Sequence, residues 1–102
     1  MLGGKMNIAS LIKNAKKMEE MMKEKQAELA NTIVTGEAGA GAVKVTMSAD
    51  HQVKSVVIDD EVYNESKDVV TDLVTAAMND ALEKVKEVTK SSMGGLTDLL
   101  GG

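Results

Sequence analysis

The chain has 102 residues, a single Tyr and neither Phe nor Trp; its 43 % apolar content is Ala, Val, Leu, Ile and 8 Met. That length fits one domain, residues 1–102, and a core without large aromatics is thin enough that a partner subunit is the expected way to thicken it. A net charge of −4 argues against a wholly cationic nucleic-acid binder and a polybasic membrane anchor, and all 12 cations are Lys, with no Arg for bidentate recognition.

After Gly3-Gly4, the residues Ile8, Leu11, Ala15, Met18, Met22 and Leu29 recur at heptad spacing, with Lys25 in the position that the last gap skips. A stretch free of Pro and Gly with this seam predicts one long helix. Such a helix overhangs a small sheet, so the spacing places part of the seam, Leu11, Met18 and Met22, against another subunit. Ile33-Val34-Thr35 begins a β-prone run. Val43, Val45 and Met47 then alternate with Lys44, Thr46 and Ser48, the period of a half-buried strand, and Val53 to Ile58 is a third β-branched run. Turns at Ala38-Gly39-Ala40-Gly41 and Ala49-Asp50-His51-Gln52 are short enough to make the three strands an antiparallel meander. Val43 and Val45 are expected to join the subunit interface.

The period returns to helical after Asp59-Asp60. Ser66 is the expected N-cap of a helix from about Lys67 to Lys90, with Val70, Leu73, Val74, Ala77, Met78, Ala81, Val85 and Val88 along one stripe. Acids at its start and lysines at its end suit the helix dipole. About residues 5–90 form the expected ordered core. Residues 91–102, with four Gly and two Ser, read as a flexible tail in which Leu96, Leu99 and Leu100 are possible contact points.

Little in the chain points to catalysis or to a cofactor. The Gly36–Gly41 run lies between strands and lacks the Gly-Lys-Ser/Thr of a phosphate loop, so it reads as a hairpin turn. His51 stands alone in a turn, without a second ligand for a metal or a nucleophile to serve. Asp59, Asp60, Glu61 and Glu65 lack EF-hand spacing and read as an acidic approach to a helix. With no Cys, disulfides and thiolate chemistry are excluded and a cytosolic address is the default. No stretch reaches the about 20 apolar residues of a membrane span, nor does the start resemble a signal peptide. The expectation is a non-enzyme without cofactor or metal.

Charge is more informative by position. Lys5 to Lys25 contains six Lys and three Glu, whereas Asp59 to Asp72 contains six acids and one Lys. On a helical wheel Lys5, Lys13, Lys16, Lys17 and Lys23 lie opposite the apolar seam, and Lys86 and Lys90 face away from the stripe of the last helix. Taken alone, such faces read as solvated helix surface. Without aromatics to stack on bases, a single-strand platform is disfavoured.

The run Leu29-Ala30-Asn31 through Val34-Thr35-Gly36-Glu37-Ala38-Gly39-Ala40-Gly41-Ala42-Val43-Lys44-Val45-Thr46-Met47 resembles the YbaB/EbfC family of bacterial nucleoid-associated proteins. So do Val56-Val57-Ile58-Asp59 and Asp72 to Ala81. The resemblance implies an α+β subunit of order α-β-β-β-α, an intertwined homodimer with tweezer-like helical arms, and a place in the cytoplasm on the nucleoid. It also implies duplex DNA binding, altered DNA conformation and an influence on gene expression, with no enzymatic activity. This chain departs from the family pattern at Lys54-Ser55, where Arg is frequent, and at Asp60, where Pro is usual. Lysines without Arg favour phosphate contacts with little sequence preference, through Lys13, Lys16, Lys17, Lys23, Lys86 and Lys90. A rival from another class is a protein-interaction or scaffold module that binds a partner helix through the Met-rich seam.

Overall fold

The computed structural model describes residues 7–99, with side chains as far as Ser92. The elements run α1 (Ile8–Asn31), β1 (Ile33–Ala38), β2 (Val43–Ser48), β3 (Val53–Ile58), a short 3-10 helix (Asp60–Asn64) and α2 (Lys67–Leu99). The strands form one antiparallel sheet in the order β1-β2-β3. This is the α-β-β-β-α meander that the hydrophobic periods predict.

Both hairpins turn where the small and polar residues are. Gly39, Ala40 and Gly41 all have φ between 55° and 88°, and the Ala42 N–H closes the turn on the Gly39 carbonyl at 3.1 Å. Two glycines make that left-handed run cheap; Ala40 carries a Cβ through it. His51, at φ 70°, turns the second hairpin, where the buried Ser48 hydroxyl bonds the Asp50 carboxylate and accepts the Gln52 N–H.

α2 lies across β1 and β2. Its Ala77, Ala81 and Val85 pack on Val34, Val43, Val45 and Met47, with Ala49 and Val62 completing the buried core. The approach is closest at Gly36, where a methyl group would strike the backbone of Ala77 and Ala81. Ser66 caps the helix as expected, its hydroxyl accepting the Val69 N–H at 3.3 Å. α2 ends later than expected, at Leu99 instead of near Lys90. Gly94 and Gly95 each cost about 1 kcal/mol relative to Ala, and extending an existing helix is far easier than starting one. Of the expected tail, 100–102 lie outside the described residues, as do the side chains of Leu96, Leu99 and Leu100.

A correction concerns Val43 and Val45. Expected at a subunit interface, both are 0 % exposed within the single chain. The alternation identified the apolar face of β2, but that face is covered by the chain's own α2.

α1 behaves differently: none of its residues is buried. At 1.5 Å per residue it is about 36 Å long, and α2 about 50 Å, whereas a six-residue strand spans about 20 Å. The molecule consequently measures 76 × 22 × 17 Å, with a radius of gyration of 20.9 Å against about 13 Å for a compact domain of this length. The base of α1 is fixed by the Ala49 N–H, shared between the carbonyls of Thr32 (2.8 Å) and Leu29 (3.1 Å). Thr32 ends the helix, its hydroxyl turned back on the Glu28 carbonyl at 2.7 Å.

Candidate nucleic-acid interface

The lysines of α1 sit on a helix whose length, not its packing, displays them. Asn7 caps its start by accepting the Ala9 N–H at 2.9 Å. From there Lys13, Lys16, Lys17 and Lys23 are all exposed, and none forms an ion pair among the described residues. Lys13 to Lys23 covers about 15 Å of helix, roughly four phosphates along one DNA strand at 3.4 Å each. Lys5 lies outside the described residues.

The other lysines differ in availability. Lys86 is exposed but lies 3.5 Å from Glu83, one turn before it. Lys90 is exposed and unpaired among the described residues. Lys25, in the seam position, pairs with Glu28 at 3.5 Å, and Lys44 faces Glu37 across β1 and β2 at 3.9 Å. The candidate set therefore divides into a cluster on α1 and a second place on the outer face of α2, shared with glutamate.

On the opposite side of α1 the seam is open: Leu11, Met18 and Met22 are 50 %, 42 % and 43 % exposed. Ile8 and Ile12 are open as well. One amphipathic arm thus presents ammonium groups on one face and uncovered apolar side chains on the other. The acids collect at the far end of the sheet. Asp59, Glu61 and Glu65 rim a shallow hollow floored by Ala42, Val62, Val69 and Leu73.

Sequence reasoning missed one polar arrangement. Asp80 and Lys84, an ordinary i,i+4 pair by spacing, reach across to β1. Asp80 Oδ2 accepts the Glu37 N–H at 2.9 Å, and the Lys84 ammonium donates to the Thr35 carbonyl at 2.7 Å. Donation from the Glu37 amide, then from Lys84, holds the Asp80 carboxyl below the usual carboxylate range. No local signal marks it, since the partners stand 43 and 49 residues apart.

A long lysine-bearing arm on a three-stranded body, closed by a second long helix, defines an α-β-β-β-α protein built to hold charge away from its core. The chain belongs to the YbaB/EbfC DNA-binding family, whose model matches residues 4–100. Nucleoid-associated proteins from two strains of Coxiella burnetii, Dugway and Henzerling II, are each 52 % identical over 102 residues, covering 100 % of this chain and 93 % of theirs. The crystal structure of an uncharacterized Helicobacter pylori protein superposes with a TM-score of 0.79 at 22 % identity, over 90 % of this chain and 98 % of that one. It shares the fold. No helix among the described residues is long and apolar enough to cross a membrane.

Proposed function

We propose that this protein is a homodimeric nucleoid-associated protein of the cytoplasm that binds double-stranded DNA through phosphates, with little sequence preference. In this reading Lys13, Lys16, Lys17 and Lys23 are the main contacts and Lys86 and Lys90 the secondary ones. Bound along a duplex, the arms alter its conformation and thereby influence gene expression. The observation that carries the reading is the run of exposed lysines, unpaired among the described residues, on a helix that projects from the body. Lysine is a compact point charge suited to positioning on phosphates, and the chain has no Arg for forked base readout. The acidic end turns DNA toward the arms by like-charge repulsion.

The homodimer reading is supported by the open seam of α1, with Leu11, Met18 and Met22 as its contacts. The tweezer-like arrangement of arms rests on family resemblance. Catalysis, a cofactor and a metal have no part in this reading.

The test is binding to a duplex of random sequence across salt concentrations, with Lys13, Lys16 and Lys17 changed together to Glu. Each lost phosphate contact should lower the slope of log K against log salt by roughly one unit, and affinity should fall by a similar factor for any duplex. Wild-type binding that ignores salt, or unchanged affinity in the triple variant, overturns the reading. The exposed Met18 and Met22 favour, as a second reading, a module that binds a protein helix. That module would keep its partner after the triple change and lose it when the methionines become Gln.

A further inference from the structure

The molecule is a rod with opposite charge at its two ends. The first 18 residues carry four Lys and no acid, whereas Asp59 to Asp72 carry six acids and one Lys. α1 is anchored at its last turn, through the Leu29 and Thr32 carbonyls, beside the turn that follows Ser48. From there it leaves the sheet without burying a residue. The acids gather at the other end of the sheet, beside Gly39 and Ala42, a strand length of about 20 Å away. With about 36 Å of α1 added in a molecule 76 Å long, the first turns of α1 and the acids cannot meet within one chain.

Each end also leaves apolar surface uncovered. At the acidic end Ala42, Val62, Val69 and Leu73 floor a hollow of about 200 Å³. A cavity of about 150 Å³ holds a benzene ring, so this one takes a single branched aliphatic side chain with room at the rim. The rim carboxylates of Asp59, Glu61 and Glu65 are exposed, and none forms an ion pair among the described residues. On α1, Ile8 and Ile12 are 72 % and 52 % exposed and stand one turn apart, and Lys16 is next on the same i,i+4 ridge. At about 100° per residue, Ile12 lies about 100° round the helix from the middle of the Leu11, Met18 and Met22 seam. A partner on that seam therefore leaves Ile12 and Lys16 free.

We infer that the α1 tip of one molecule docks head-to-tail in the acidic hollow of another, Ile12 on the apolar floor and Lys16 against Glu61 and Glu65. The i,i+4 spacing holds the two side chains about 6 Å apart, so one enters while the other stays at the rim. The Lys16 stem can lie along apolar surface while its ammonium remains at the carboxylates. Tip against tip or base against base would set like charges together, so only the head-to-tail orientation gains. Such a contact is heterologous: each molecule added keeps a free tip or a free hollow, and association continues instead of closing. One helix ridge in one hollow covers far less than the about 1,600 Å² of a standard interface, so the contact forms at low salt and high local concentration. It needs neither the homodimer nor the DNA-binding reading. Lys16 stands among the proposed phosphate contacts, so an arm docked this way is withheld from DNA.

Sedimentation velocity of the full-length protein, freed of nucleic acid, tests the contact. The mass at about 0.15 M salt, one subunit or two, is the reference. At about 0.01 M salt the Debye length grows from about 8 Å to about 30 Å, and the mass should at least double and keep rising with protein concentration. Lys16→Glu should hold the mass at the reference, and so should Glu61→Lys combined with Glu65→Lys. The latter pair adds four positive charges to a net −4, giving zero, which by itself favours association. Mixing the two variants should restore the rise, because the acidic tip of one then meets the basic hollow of the other. Ile12→Gln leaves every charge in place and should raise the concentration needed about tenfold. If the hollow variant fails to fold, Lys16→Glu and Ile12→Gln, on a helix with no buried residue, decide. A wild-type mass that ignores salt overturns the contact and leaves the hollow to a cationic segment of a different protein. A rise that survives Lys16→Glu or the hollow variant, or mixed variants that stay at the reference mass, overturns it as well.

Discussion

Asp80 and Lys84 stand one turn apart on α2, with ammonium and carboxylate 3.2 Å from each other, yet each spends its strongest hydrogen bond on β1. The pair works as a clasp: a carboxylate on an N–H, an ammonium on a carbonyl, two residues apart on the same strand. It fixes the height of α2 over the sheet, so that Ala77 and Ala81 come down on Gly36.

The clasp should make the fold acid-sensitive. Because the Asp80 carboxyl titrates below its unfolded value of about 4, the native state holds fewer protons than the unfolded chain in that window. Its contribution is present above pH of about 4 and disappears as pH falls through the lowered native value. Thermal melts should show Tm dropping on acidification below that point. Asp80→Asn should start lower at neutral pH and lose less over the same interval.

Gly36→Ala should destabilise by about 3 kcal/mol, since a methyl there meets backbone atoms of α2 that no rotamer change can move. Urea unfolding measures it. Gly41→Ala, where the added carbon has space but φ is 88°, should cost about 1 kcal/mol, from backbone strain alone.

The glutamate beside Lys86 should temper DNA binding. Glu83→Gln releases an exposed ammonium now held at 3.5 Å, and affinity for duplex should rise roughly threefold at low salt. Lys90→Ala should lower the salt slope more than Lys86→Ala. Fluorescence anisotropy titrations at several salt concentrations distinguish the two.

Asn7→Ala should fray the start of α1, at a local cost of about 1 kcal/mol, because the side chain satisfies a first-turn N–H. Hydrogen exchange of the first-turn amides should accelerate about fivefold while the sheet amides do not change.

Most of the architecture could be read from periods in the sequence. Heptad spacing from Ile8, alternation from Val43 and the return of the helical period after Asp60 each located an element that the structure contains. What those periods could not say is which chain covers an apolar face. Val43 and Val45 mark a buried face that fits a partner as well as the same chain, and α2 of the same chain takes it. The α1 seam carries the same kind of signal and from Ile8 to Met22 is left open among the described residues. The lysine face was legible because a helix with no buried residue keeps its wheel intact. The clasp on β1 was not, because an Asp–Lys pair at i,i+4 looks the same whether it salts a surface or grips a strand.

The bare contour of α1 has a calorimetric consequence. Heat capacity of unfolding comes mainly from apolar surface withdrawn from water, whereas helix enthalpy comes from backbone hydrogen bonds formed wherever the helix happens to be. In a single chain, α1 carries 24 residues of the second kind and almost none of the first. Its melting should therefore absorb heat over a broad range with a nearly flat baseline step, separate from the sharp endotherm of the sheet and α2. Any increase in that step upon association would measure directly how much of the arm another molecule has dried.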